Sequence, residues 1–192
     1  FRKISDKKIN EIKSIEGVKD AWGDVLGFAQ FIKFGPRKDC HAFNPECQRE
    51  TILIQNGFAP TFGAAWDTSP YASQWEIIDG QPPTNNKEVV MDSTTAEGNS
   101  FSVGDRVTVL AGAIPATFTI VGIAEFANTG SPGGASFALF DFRTAQILLD
   151  SIGEVDFINV VVDENADINS VRNAIANIDD QGLEVINAQE AA

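Results

Sequence analysis

Histidine, methionine and tyrosine each occur once in this chain of 192 residues, and cysteine occurs twice. The single histidine, His41, stands between the cysteines, and no serine sits in a Gly-x-Ser-x-Gly elbow, so no serine or cysteine triad can be assembled. Basic residues are also scarce, 14 Lys and Arg against 27 Asp and Glu, a formal net charge of −13. A surface of that sign repels phosphates, which excludes nucleic acid as a natural partner. No apolar window approaches the roughly 20 residues needed to span a bilayer, and no basic stretch followed by an apolar core marks a signal peptide. The chain opens on Phe1 rather than methionine and closes at Ala192 just after a strand-like run, the expectation being a segment of something longer, with membrane helices outside it. A hydrophobic share of 43% makes it globular, long enough for one large domain or two small subdomains.

Cys40 and Cys47 lie in KDCHAFNPEC, with six residues between them in a polar, proline-bearing loop. A disulfide is sterically easy there, stabilises by about 2 to 3 kcal/mol in the chain-entropy account, and persists in oxidising compartments. The pair therefore reads as an extracytoplasmic staple. A metal site of Cys40, His41 and Cys47 is the weaker reading, because adjacent Cys and His side chains rarely aim at one ion.

Ile9, Ile12 and Ile15 recur at helical spacing over residues 5–15, with Ser5 or Asp6 as N-cap and Gly17 as terminator. A strand over Val18–Trp22, an extended apolar stretch up to Gly35 and a strand over Thr51–Gln55, paired back across the cysteine loop, are expected next. From Phe58 to Gly80 prolines, aromatics and small residues are too frequent for regular structure, and the stretch reads as a crossing between subdomains. Strands follow at Glu88–Met91, Arg106–Leu110, Ala116–Phe126 and Phe137–Phe140, with a short helix at Ser93–Glu97 and another capped by Asp141. The end of the chain resembles its beginning: a strand at Phe157–Val162, a helix at Asn169–Ile178 and a strand in LEVIN, residues 183–187. The predicted fold is α+β, a split α/β sandwich from residues 1–63 and 141–192 with a β-rich insertion, residues 64–140.

Several segments mimic chemistry. Asp67-Thr68-Ser69 has the look of an aspartic-protease triplet, but that chemistry needs a second carboxylate and the sequence holds no second copy, so Asp67 reads as a turn residue. DENADIN, residues 163–169, spaces its oxygens like a calcium loop, yet Ile168 stands where glycine belongs and Ala174 where the closing Glu belongs. A cap at Asp167 or Asn169 explains it better. TGSPGGAS lacks the Lys-Ser or Lys-Thr of a phosphate loop. Trp22, Phe28, Phe31, Phe34, Phe58, Phe62, Trp66, Tyr71 and Trp75 crowd the first half; most are expected between the subdomains and a few on a binding surface.

The most patterned stretch runs from Gly80 to Ile123. Gly80, Pro82, Glu88, Val89, Val90, Asp92, Ala96, Val103, Gly104, Asp105, Val107, Val109, Phe118, Val121, Gly122 and Ile123 follow one another as in the extracytoplasmic domain of ABC-transporter permeases of the MacB/FtsX type, which this chain resembles. Ile15-Glu16-Gly17-Val18 resembles that family's segment just outside its first membrane helix, and AQILLD with Ile158–Val162 its return to the first subdomain. The resemblance implies a porter-like subdomain, a cell-membrane location with this domain outside, and no enzymatic activity. It implies a cytoplasmic ABC ATPase, a second permease copy and an extracytoplasmic protein or exported substrate as partners. No catalytic, cofactor or metal residue is assigned, and the only site residues are Cys40 and Cys47 as a disulfide. Alternatives of other classes are a secreted or cell-surface binding module and a cell-wall or carbohydrate-active enzyme, whose cleft would hold carboxylates of raised pKa. The patterned block specifies turns and strands, which leaves function to the region between Phe28 and Trp75.

Overall fold

A computed structural model describes residues 2–36, 49–54, 59–72, 74–112, 114–127, 130–178 and 183–186. The fold is α+β, and the chain divides into two compact units. Unit 1 gathers residues 1–24, 67–72 and 153–192; unit 2 holds residues 25–66 and 73–152. Residues 25–63 and 141–152, expected beside the chain ends, thus belong with the middle of the chain.

In unit 1, β1 (Ile4–Ser5) pairs antiparallel with β12 (Glu154–Val155), and α1 (Lys7–Lys13) follows β1 directly. β2 (Val18–Asp24) pairs antiparallel with β13 (Phe157–Val162), placing Trp22 opposite Asn159 and Asp24 opposite Phe157. α4 (Ile168–Ala176) starts at Asp167, whose carboxylate accepts from the backbone N–H groups of Asn169 and Ser170. Ile12, Ala21, Val171 and Ile175 form the core between these elements. The strand expected in LEVIN is not formed: Leu183–Ile186 lie in no ladder, although Leu183 and Val185 still pack on this core. The alternation of the sequence is therefore used for burial without hydrogen-bonded pairing.

In unit 2, the described strands form a nine-stranded sheet. These are β3 (Leu26–Phe28), β4 (Gln30–Pro36), β5 (Arg49–Ile54), β6 (Thr61–Ala65), β7 (Trp75–Gly80), β8 (Glu88–Asp92), β9 (Arg106–Ala111), β10 (Ile114–Phe126) and β11 (Ser136–Phe140). Their order is β3-β6-β11-β8-β10-β9-β4-β5. The 13-residue β10 pairs with β9 through its first half and with β7 through its second, while β8 runs parallel beside it. β8 and β11 are buried almost without interruption, as central strands covered on both faces should be. α2 (Ser93–Asn99) follows β8, and α3 (Phe142–Leu148) starts at the Asp141 cap, which accepts from the Thr144 N–H at 3.2 Å.

The stretch after Phe58 holds β6 and β7 rather than irregular chain. What looks like breaker chemistry in β6 is a packing device. Gly63 pairs across the sheet with Gly27, and a Cβ at either position would come within 3.0 to 3.2 Å of Leu149 Cδ2. Two missing side chains make the notch that seats Leu149 at the end of α3.

Candidate functional site

Along β2, Ala21 and Gly23 are buried, Ala21 in the core with α1 and α4, so Asp20, Trp22 and Asp24 share the opposite face. Against that face lies a strap of six residues, Asp67–Ala72, in unit 1, although the chain on both sides of it belongs to unit 2. Ser69 Oγ donates to Asp20 Oδ2 at 2.5 Å, and the Lys19 ammonium stands 4.8 Å from the centre of the Tyr71 ring. The strap is folded on itself by Tyr71 N donating to Ser69 Oγ at 3.2 Å and Ala72 N donating to the Ser69 carbonyl at 3.1 Å.

The two ends of this contact are electrostatically opposite. Lys13 Nζ lies 2.8 Å from Asp20 Oδ1, and that hydrogen bond, helped by the one from Ser69, holds the Asp20 pKa down at about 2. At the other end burial, and then the charge of Asp24, push Asp67 up to about 7. The Trp22 indole N–H pulls the other way without completing a hydrogen bond of ordinary geometry. Asp24 is itself raised by burial, against the hydrogen bond from Asn159 Nδ2 at 3.1 Å and with a further push from Asp156. Lys3 Nζ reaches Asp156 Oδ1 at 3.4 Å, and the Asp156 N–H donates to the Asp24 carbonyl at 2.8 Å. At neutral pH, Asp67 is therefore divided between its protonated and ionised forms.

The one carboxylate whose charge acts on Asp67 of the Asp67-Thr68-Ser69 triplet is Asp24, 43 positions earlier. The parity of β2 was the available signal, since it sets Asp20, Trp22 and Asp24 on one face. A glycosidase or protease needs its carboxylates on a cleft. The broad groove of unit 1, about 940 Å³, lies elsewhere, around Glu16, Lys19, Asp163, Glu164 and Asp167, and neither Asp24 nor Asp67 lines it. In that groove Asp167 is committed to capping α4, accepting also from Ser170 Oγ, and no three metal-ligating groups converge among the described residues. TGSPGGAS contains a single turn of 3₁₀ helix at Pro132–Gly134. The expected Cys40–Cys47 disulfide and His41 lie outside the described residues.

The aromatic residues are placed differently from the expectation. Phe62, Trp66 and Trp75 pack on unit 2's own core with Phe137, Val90 and Leu139. Rings follow one another from Phe28 through Phe62, Phe137 and Trp75 to Phe126, with centroids 5.1 to 5.5 Å apart. Phe28, at the edge strand, is 77% exposed.

The MacB-like periplasmic core domain family matches residues 23–178, most of the chain and all of the patterned block. The chain belongs to that family. No curated protein sequence matches it. Among solved structures it is similar to the extracellular domain of the noncanonic ABC-type transporter YknZ from Gram-positive bacteria, at TM-score 0.58 and 16% identity, covering 92% of this chain and 82% of that one. The periplasmic region of MacB from Actinobacillus actinomycetemcomitans gives TM-score 0.58 at 11% identity over 93% of this chain and 73% of that one. A domain of a putative permease from Porphyromonas gingivalis gives TM-score 0.57 at 16% identity, over 96% of this chain and 73% of that one. At such identities the structural likeness is one of fold. The family membership makes the chain an extracytoplasmic domain of an ABC-type permease, on the periplasmic or extracellular face. Among the described residues no helix is long and apolar enough to cross a membrane.

Proposed function

We propose that this MacB-like domain performs no chemistry and acts as a mechanical relay. Closure of cytoplasmic ABC ATPases moves the membrane helices of the permease, and the domain carries that motion outside, as a conformational change that serves substrate export or activation of an extracytoplasmic partner. It works beside the same domain of a second permease copy. The family match over residues 23–178 is the observation that carries this reading. The construction is in keeping with it: both unit 1 and unit 2 are compact, and residues 2–24 and 153–178 belong to one unit, so motion entering through either segment reaches the same body.

The test uses the intact permease with its ATPase in lipid. Amide exchange in this domain is compared with ATP and with ADP, and export or partner activation is compared with and without the domain. The expected result is nucleotide-dependent exchange, and a loss of the external activity, with ATP hydrolysis retained, when the domain is deleted. Exchange that ignores nucleotide, together with an external activity that survives the deletion, overturns the reading.

A further inference from the structure

We propose that Asp67–Ala72 is a fastened tie through which motion of unit 1 is drawn into the sheet of unit 2, with Ser69 as its fastener. This deepens the relay reading and rests on it.

The chain passes between unit 1 and unit 2 after Asp24, on either side of the strap, and after Ile152. The strap alone leaves unit 2 and returns to it. Just before it, the Ala65 and Trp66 N–H groups donate to the Val25 and Phe140 carbonyls at 3.0 and 2.6 Å. Just after it, the Gln74 carbonyl accepts from the Ala127 N–H at 2.8 Å, and Trp75 opens β7 opposite Phe126. Both flanks are thus hydrogen-bonded within unit 2, and whatever displaces the strap pulls on the end of β6 and the start of β7.

Ser69 decides whether that pull is transmitted. Its Oγ donates to Asp20 Oδ2 and accepts from the Tyr71 N–H, while its carbonyl accepts from the Ala72 N–H. One residue therefore fixes the strap to β2 and keeps it folded short. Six residues drawn out straight reach about 20 Å, so a strap that has lost its turn goes slack before it pulls. Behind Ser69 the anchor continues into unit 1. Asp20 Oδ1 holds Lys13 Nζ, at the end of α1, and accepts from the N–H of Ala21, a core residue, each at 2.8 Å. The hydroxyl of Ser69 thus meets a carboxylate already fixed by α1 and β2, and a hydrogen bond to an ionised acceptor is stronger than one between neutral groups. The Lys19 ammonium, 4.8 Å from the centre of the exposed Tyr71 ring, is a second hold. The other two crossings are continuous backbone that none of these side chains interrupts, which makes the share of the strap separable.

The experiment uses the intact permease with its ATPase in lipid. Amide exchange with ATP and with ADP, external activity and ATP hydrolysis are compared between the unsubstituted chain and the double variant Ser69→Ala, Tyr71→Leu. Exchange at positions 71 and 72 should rise by about tenfold or more, the measure of one lost hydrogen bond to a charged group, while α1, α4, β8 and β10 stay protected. The nucleotide-dependent change should persist in α1 and α4 and disappear from residues 64–66 and 74–77. External activity should fall with ATP hydrolysis retained. Ser69→Thr, which keeps the hydroxyl, should match the unsubstituted chain in every readout. Lys13→Met, which weakens the anchor from α1 without touching the strap, should reproduce part of the loss. A released strap with an unchanged response at β6 and β7 overturns the proposal and leaves the relay standing, and so does a strap that stays protected in the double variant. A nucleotide response absent from α1 and α4 in the unsubstituted chain overturns the relay reading, and the tie with it.

Discussion

Asp92 Oδ2 accepts a hydrogen bond from the backbone N–H of Phe137 at 2.7 Å, with Asp92 fully buried. Its other oxygen caps α2 by accepting from the Thr95 N–H at 2.9 Å, and Thr95 Oγ1 donates onward to Ser136 Oγ at 2.8 Å. One side chain thus ends β8, starts α2 and ties both to β11. Asp92→Ala orphans two buried amides, each costing about 1 to 3 kcal/mol. The expected loss is about 3 kcal/mol or more by urea denaturation, and Asp92→Asn, which keeps one acceptor, should lose about half as much. Burial raises the Asp92 pKa against these hydrogen bonds, so its contribution is complete below the ordinary carboxylate value and declines as pH rises through the raised one.

The notch beneath Leu149 makes a second prediction. A Cβ on Gly63 would stand 3.0 Å from Leu149 Cδ2 and 3.1 Å from the Ala29 Cβ, so Gly63→Val overfills the site. Overpacking of this kind costs about 1 to 3 kcal/mol. Leu149→Ala should recover part of that loss in the double variant, because the contact removed is the one in conflict. Additive losses would show that the notch is not what limits β6.

The same notch explains where the sequence was legible and where it was not. Strands β8, β9 and β10 carry alternating or continuous apolar residues, with Gly104-Asp105 as a turn between β-forming runs, and local pattern is enough to place them. β6 is central because Gly63, Ala64 and Ala65 are small, a property that reads locally as loop chemistry and acquires its meaning only from Leu149, 86 positions beyond Gly63. The strap has the same character. Asp67 reads as a turn residue until burial, and then the charge of Asp24, push its carboxyl up, and only strand parity hints that Asp20, Trp22 and Asp24 share a face. Leu183 and Val185 fail in the opposite way, keeping the alternation of a strand while pairing with no strand among the described residues.

At the anchored end of the strap, Asp20 should titrate far below a free aspartate. The hydrogen bond from Lys13 is the larger cause and the one from Ser69 the next, holding the value at about 2. The group is depressed in the folded state, so its stabilisation is present above the ordinary value and is lost as pH falls through about 2. Ser69→Ala should raise the Asp20 midpoint in a carbon NMR titration, and Lys13→Met should raise it further. About 1 M salt should erase much of the Lys13 effect while leaving that of Ser69, since exposed ion pairs are screened and a neutral donor is not. Equal salt sensitivity in both variants would contradict this assignment.

Gly80 closes β7 at φ +78°, opposite Gly122 of β10 and next to the register shift at Ile123 and Ala124. The Gln81 N–H donates to the Val121 carbonyl at 2.9 Å, so backbone meets backbone where a side chain would otherwise stand. A Cβ on Gly80 would lie 2.2 Å from Val121 O, and the left-handed backbone adds its own strain for any residue with a Cβ. A Cβ on Gly122 meets Gln81 O at 2.5 Å without a positive φ, and one on Gly104, at φ +97°, meets nothing within 4 Å. These three glycines therefore separate crowding from conformational strain. Gly104→Ala should cost about 1 kcal/mol from backbone strain alone. Gly122→Ala should cost more because backbone must move, and Gly80→Ala, which combines both penalties, should cost the most, about 3 kcal/mol or above. Denaturation midpoints of the three variants give the order directly. A Gly104→Ala loss equal to that of Gly80→Ala would place the whole effect in the dihedral angle and remove the close approach of β7 to β10 as its cause.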